Sequence, residues 1–217
     1  MINPVDQNDI AAVILAGGLA RRMGGGDKSM KMLAGSSLLD RILVRITPQV
    51  GSMVINANGN PDRFGYTGLP VVEDVVEGHP GPLAGVLSGL DWVAENHPEI
   101  RWVLSVPCDA PFIPLDLVAR MKSAMEENDH RLACAQSHGR THPVVGLWPV
   151  ALREDLRTAL VKEELRKVDK WTARHGISHV EFEDVLISDQ AIDPFFNANK
   201  PDDLNEIETL LALHERD

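Results

Sequence analysis

Six consecutive apolar residues, Ala11-Ala12-Val13-Ile14-Leu15-Ala16, run directly into Gly17-Gly18. A strand with one wet face alternates apolar and polar positions. A strand with no polar position must be covered on both faces, as in a parallel sheet flanked by helices. The glycines that end the run permit backbone conformations and close approaches that a side chain forbids. The chain then enters a basic, glycine-rich stretch, Leu19-Ala20-Arg21-Arg22-Met23-Gly24-Gly25-Gly26-Asp27-Lys28. A buried strand feeding a cationic glycine loop points to an α/β sheet that presents this loop at its carboxyl edge.

The remaining segments alternate in the same way. Leu38 to Ile46 has helical apolar spacing, with Ser36 or Ser37 as the cap. Ser52 to Asn56 and Val71-Val72 read as strands, and Gly81-Pro82-Leu83-Ala84-Gly85 opens a helix to about Glu95. Trp102 to Val106 is a strand ending in Pro107-Cys108-Asp109, and Leu115 to Glu126 is an amphipathic helix. Leu132 to Ala135, Val144 to Trp148, His179 to Phe182 and Phe195-Phe196 are expected strands. Ala151 to about His175 reads as one broken or two short helices, Lys162 to Lys170 as a solvated helix face, and Pro201 with Asp202 and Asp203 as the start of a last helix. The expected fold is a doubly wound, mostly parallel α/β sheet forming one domain over 1–217, with 1–9 as a flexible lead. Ligands of such sheets sit beyond the carboxyl ends of the strands, which here carry Gly17-Gly18, Asn56, Asp74 and Asp109.

Charge narrows the function. With 21 Lys and Arg against 32 Asp and Glu, the net charge is -11, the opposite of what nucleic-acid binding calls for. An acidic chain can still hold a small phosphorylated ligand if it gathers cations at one place, and Arg21, Arg22 and Lys28 lie in one loop. The two cysteines, Cys108 and Cys134, are too far apart for a CxxC motif and suit a reducing compartment. The polar start of the chain and the lack of a long apolar run lead to the expectation of a cytoplasmic protein without a membrane span.

The loop matches neither common phosphate motif. A Walker A loop needs Gly-Lys-Ser/Thr, whereas Lys28 follows Asp27; a dinucleotide fingerprint needs G-x-G-x-x-G, which Gly17-Gly18-Leu19-Ala20-Arg21-Arg22 lacks. Backbone N–H groups at the strand exit, with the three cations, nonetheless suit a triphosphate. Asp109, flanked by Pro107 and Pro111 at a strand end, has the chemistry of a Mg²⁺ ligand, with Mn²⁺ equally served by hard oxygen donors. Asp74 has the same strand-end placement in a weaker context, with a turn residue as its plainer reading, and Asn56 reads as a base or sugar contact or part of an Asn-Ala-Asn turn. Cys108 has no histidine in suitable spacing and is read as a buried small residue rather than a nucleophile.

The segment LAGG-x-ARRMGG-x-DK, residues 15–28, resembles the signature of the molybdenum cofactor guanylyltransferases. The resemblance continues through Val54-Ile55-Asn56-Ala57-Asn58, Val72-Glu73-Asp74, Gly81-Pro82-Leu83-Ala84-Gly85, Pro107-Cys108-Asp109-Ala110-Pro111, Gly139-Arg140-Thr141-His142-Pro143-Val144 and Asn197-Ala198-Asn199-Lys200-Pro201. One departure is Gly35-Ser36-Ser37-Leu38, where the family usually has Gly-Lys/Arg-Pro-Leu. The resemblance implies a Rossmann-like nucleotidyltransferase that moves GMP from GTP to molybdopterin. Leu15, Ala16, Gly17, Gly18, Arg21, Lys28, Asn56, Asp74, Gly85 and Asp109 would bind the nucleotide, with Lys28, Arg22 and Asp109 catalytic and Asp109 on the metal. His142, Asn197 and Asn199 would face the acceptor, although His142 also reads as a structural histidine at a strand entrance and the asparagines as turn formers. The other classes that suit these residues are a cytidylyl- or uridylyltransferase acting on a different phosphate, and a non-catalytic GTP-binding protein that delivers the cofactor. Cofactor-making or cofactor-receiving proteins are the expected macromolecular partners.

Overall fold

The computed structural model describes residues 7–17, 27–76, 78, 81–187, 189–197, 207–209 and 211. Its centre is a seven-stranded sheet: β1 (Ile10–Leu15), β2 (Ser52–Asn56), β3 (Val71–Val72), β4 (Trp102–Pro107), β5 (Leu132–Ser137), β6 (Arg140–Pro149) and β7 (Ile177–Glu181). In these labels the spatial order is β3-β2-β1-β4-β6-β5-β7. β1 pairs in parallel with β2 and β4, β2 with β3, and β5 with β7; β6 runs antiparallel to both of its neighbours.

The expectation from the apolar run is met along most of its length, Leu15 alone being half-buried. Ile10 to Ile14 are fully buried, and successive side chains enter opposite layers. Ile10, Ala12 and Ile14 pack with α1 (Leu38–Ile46) and α3 (Leu117–Asn128). Ala11 and Val13 pack with α2 (Pro82–Asn96), α4 (Arg153–Val161) and α5 (Val168–Thr172). The sheet is therefore wound on both faces, which is why β1 could spare no polar position. α2 lies so near β1 that a Cβ at Gly89 would sit 2.6 Å from Val13 Cβ.

Of the two serines expected to cap α1, Ser37 does so. Its Oγ accepts from Asp40 N–H at 3.0 Å while Ser37 N–H donates to the Asp40 carboxylate at 3.3 Å, a reciprocal capping box. Met32–Leu33 and Ser36–Ser37 form a small ribbon whose turn places Ser37 at the helix start.

Several expectations are corrected. Phe195-Phe196 is not a strand; Phe195 is a buried turn residue whose ring stacks at 4.7 Å on His142 and edge-on at 5.4 Å on Phe182. Two adjacent aromatics suit a strand, and burial from a turn uses them equally well. Lys162 to Lys167 lies between α4 and α5 rather than on a helix face. Gln7–Asp9 forms a short 3₁₀ turn before β1. The ribbon Val185–Ile187 with Gln190–Ile192 and the 3₁₀ segment Pro61–Thr67 were not anticipated. Pro201, Asp202 and Asp203 lie outside the described residues. Among the described residues no helix is long and apolar enough to cross a membrane.

Candidate active site

β1, β2, β3 and β4 run the same way, so their carboxyl ends meet at one edge. β6 runs oppositely, so its first residues, Arg140 to Pro143, arrive at that same edge. The order of the sheet reverses between β1 and β4, the place where doubly wound sheets hold ligands.

The exit of β1 is held on both sides. Ala16 N–H donates to Asn56 O at 2.9 Å, and Leu15 O accepts from Cys108 N–H at 3.2 Å. Among the described residues, a Cβ added at Gly17 would meet nothing within 4 Å. The loop that follows, including Gly18, Arg21 and Arg22, lies outside the described residues, as does Asn199.

On the β2 side, Asn56 is buried at the strand end. Its amide donates to Asp74 Oδ1 at 3.0 Å and to Val72 O at 3.3 Å. Asn58 holds the same aspartate: its amide donates to Asp74 Oδ2 at 2.9 Å while Asp74 N–H donates to Asn58 Oδ1 at 2.9 Å. The exits of β2 and β3 are thereby fixed to each other through one carboxylate. Gly85, in the first turn of α2, permits this, since a Cβ there would lie 2.3 Å from Asn56 Oδ1 and 2.7 Å from Leu15 Cδ2. Leu15, Asn56 and Gly85 are thus in mutual contact, though they are up to 70 positions apart by their numbers.

The structure brings Lys28 and Asp109, 81 positions apart, into a direct ion pair between Nζ and Oδ2. Their side chains are 12% and 18% exposed, so the pair is reachable but largely withdrawn from water. Asp109 does not cap α3, whose N-cap residue is Asp116. Lys28 opens a 3₁₀ turn, Lys28–Met30, capped by Asp27, whose Oδ1 accepts from Ser29 N–H at 3.0 Å and from Ser29 Oγ at 2.6 Å. Cys108, beside Asp109, is buried, and that burial pushes its thiol well above the ordinary range. A thiolate nucleophile there is disfavoured.

Beyond Asp109 opens a cavity of about 250 Å³, lined by Ala110, Arg140, His142, Val145, Phe195 and Asn197 among others. His142 Nε2 lies 2.7 Å from Ser137 Oγ, and that hydroxyl donates to Asp193 Oδ1 at 2.9 Å. With its proton committed to Asp193, the Ser137 oxygen accepts from His142 Nε2, so a neutral His142 is the Nε2–H tautomer. Burial agrees, lowering the His142 pKa against the opposing pull of Asp193. A larger cavity of about 300 Å³ beneath α5 shares Thr141 and Pro143 with the first, but Asp109, Arg140 and His142 are not among its walls.

Sequence reasoning missed Asn58, Arg140 and Asp27 as site residues, although each sits inside or beside a motif it identified. It also missed Arg63, whose Nε donates to Asp27 Oδ2 at 2.6 Å. No sequence spacing joins those two.

Residues 12–179 match the model of the MobA-like NTP transferase domain. A protein of Bradyrhizobium sp. (strain ORS 278) named molybdenum cofactor guanylyltransferase is 53% identical over 208 residues, covering 96% of this chain and 96% of its own. Among solved structures, molybdopterin-guanine dinucleotide biosynthesis protein A from Archaeoglobus fulgidus superposes with a TM-score of 0.71 at 20% identity, over 93% of this chain and 98% of its own. A Mycobacterium tuberculosis H37Rv protein crystallised with manganese superposes with a TM-score of 0.62 at 13% identity, over 93% and 98%.

Proposed function

The chain belongs to the MobA-like NTP transferase family and is a nucleotidyltransferase, and from that premise we propose that it transfers GMP from GTP to molybdopterin, releasing pyrophosphate. The observation that carries this reading is the meeting of Lys28 and Asp109 at the strand edge, between the exit of β1 and the cavity beside His142.

In an in-line transfer an oxygen of the acceptor's terminal phosphate attacks the α-phosphorus of GTP. A new P–O–P link forms, the bond from the α-phosphorus to the bridging oxygen breaks, and pyrophosphate leaves with that electron pair. The nucleophile is already anionic, so no general base is required. Positioning and charge stabilisation supply most of the rate. In this reading Leu15, Ala16, Gly17 and Gly18 let backbone approach the nucleotide. Asn56, Asp74 and Gly85 shape the nucleoside side, and Arg21, Arg22 and Lys28 balance the phosphates.

A divalent cation suits the donor set. Among the described residues no group of three or more His, Cys, Asp and Glu forms a cage. Mg²⁺ bound to a nucleotide characteristically takes one or two carboxylates and completes its shell with phosphate oxygens and water. Asp109 is the carboxylate we assign to it, and the manganese complex of the mycobacterial fold relative is compatible with Mg²⁺ or Mn²⁺ in that role. When bound, the cation would neutralise charge developing on the transferred phosphoryl group. Lys28 would then leave Asp109 for the phosphates. His142, Asn197 and Asn199 are assigned to the acceptor, His142 and Asn197 because they line the cavity next to Asp109.

Calorimetric titration with GTP, ATP, CTP and UTP, each with and without Mg²⁺, tests the donor. Pyrophosphate release on adding molybdopterin tests the transfer. Tightest binding of GTP with molybdopterin-dependent release supports the assignment. Tightest binding of CTP would move it to the cytidylyltransferases, and GTP binding without release would leave a delivery protein.

A further inference from the structure

Asp27 stands between the glycine-rich loop and Lys28, and its carboxylate is divided between two tasks. Oδ1 caps the turn that carries Lys28, while Oδ2 receives Arg63 Nε at 2.6 Å. Arg63 comes from the 3₁₀ segment Pro61–Thr67, anchored by the fully buried Phe64, with the guanidinium carbon 4.5 Å above that ring. Its Nη2 donates to Asn58 O at 2.9 Å and its Nη1 to Asn60 O. Asn58 in turn holds Asp74. One side chain therefore joins the loop exit to the β2 exit, and through Asn58 to the β3 exit.

We propose that Arg63 is a positioning residue for nucleotidyl transfer, holding Asp27 and through it the Lys28 ammonium in place for the triphosphate. Three geometric facts favour this over a general brace. The bond to Asp27 is short and charge-assisted, while those to Asn58 and Asn60 end on neutral carbonyls. The two side chains are 29% and 18% exposed, on the rim of the site rather than in the core. The guanidinium fork serves all three acceptors from fixed, coplanar N–H groups, a spread that a lysine's compact ammonium does not reproduce.

The inference rests on Lys28 contacting the phosphate tail. That premise is tested separately by whether wild-type protein binds GTP more tightly than GMP. On that background Arg63→Met is expected to weaken GTP at least tenfold and GMP by less than twofold. Arg63→Lys should recover part of the GTP loss. Asp27→Asn keeps an oxygen for the cap and removes the anionic partner, and should mimic Arg63→Met. The double variant should be little worse than either single one, because both sever the same link. Equal weakening of GTP and GMP, additive losses in the double variant, or a lowered melting temperature with GTP affinity intact would overturn the proposal.

Discussion

Replacing Gly85 by alanine tests the packing of the nucleoside side directly. The new Cβ would lie 2.3 Å from Asn56 Oδ1, 2.7 Å from Leu15 Cδ2 and 3.0 Å from Asn56 Cγ. Leu15 can rotate its methyl aside, but Asn56 is buried and its carboxamide must swing away. That movement forfeits its bonds to Asp74 and Val72 O. Overpacking costs about 1–3 kcal/mol and each lost hydrogen bond about 1 kcal/mol, while alanine recovers about 1 kcal/mol of helix propensity. The net loss is roughly 2–4 kcal/mol, and at about 2–4 °C per kcal/mol for a chain of this size the melting temperature should fall by on the order of 10 °C. Differential scanning calorimetry reads this, and calorimetric titration should show GTP affinity down by about tenfold, equivalent to about 1.4 kcal/mol. Gly85→Ala with Asn56→Ala removes the main obstacle and should be closer to additive-neutral in stability than the two single losses imply. A Gly85→Ala protein as stable as the parent would refute the steric argument. One that melts early yet binds GTP normally would remove Asn56 and Asp74 from the nucleotide site.

Lys28→Ala should lower kcat/KM at least a hundredfold, about 2.7 kcal/mol, if Lys28 meets the transition state, and near-normal turnover would exclude that role. Asp109→Asn should abolish the metal dependence of GTP binding while retaining a folded protein, as read by titration with and without Mg²⁺. Cys108→Ser should keep most of the activity, and the wild-type thiol should react slowly with alkylating reagents, since its burial suppresses the thiolate. His142 contributes a pH effect of known sign. Its folded pKa is lowered, so between that value and about 6.5 the unfolded chain binds the proton more readily. The His142 contribution is therefore intact above about pH 6.5 and lost on acidification, and a His142→Gln protein should show a flatter melting-temperature profile below pH 6.5. His138 works in the opposite sense, because its bond to Asp184 raises its pKa, so a His138→Gln background isolates the His142 effect.

What the sequence made legible follows from the kind of signal each feature carries. β1 could be placed because burial on two faces forbids polar residues, a constraint written into every position. α1 was bounded correctly because its cap and its apolar spacing are both local. β6 was harder. Its first half is half-exposed at the cavity, so Arg140 to Pro143 lacks the apolar pattern of a buried strand, and only Val144 to Trp148 was recognised. The register shift between Cys134 and Ala135 adds to this by displacing β5 against β6. Within the site, glycines and strand-end carboxylates announced themselves by position. The partners that hold them did not. Asn58 on Asp74, Arg63 on Asp27 and Ser137 on His142 depend on side-chain reach across 16, 36 and 5 positions, for which no periodicity exists.

An acidic chain that is to bind a triphosphate faces an electrostatic conflict, and the site shows how it is resolved locally. Whatever part of the net charge of -11 lies beyond one Debye length, about 8 Å at physiological ionic strength, is screened by salt. Inside that distance two aspartates lie close to Lys28. Each is matched before any ligand arrives: Asp109 by Lys28 itself, Asp27 by Arg63. A polyanion approaching the exit of β1 therefore meets paired carboxylates rather than bare ones. In the proposed reading only the Lys28–Asp109 pair would then be exchanged, the ammonium passing to phosphate and the carboxylate to the cation that accompanies it. The exchange conserves charge pairing on both sides, so neither partner is left buried and uncompensated, the outcome that makes breaking a withdrawn ion pair costly. The same logic predicts that Mg²⁺ and GTP bind with positive coupling, each releasing the partner the other requires. Titrating GTP at several Mg²⁺ concentrations measures that coupling, and its disappearance in Asp109→Asn would locate it at this pair.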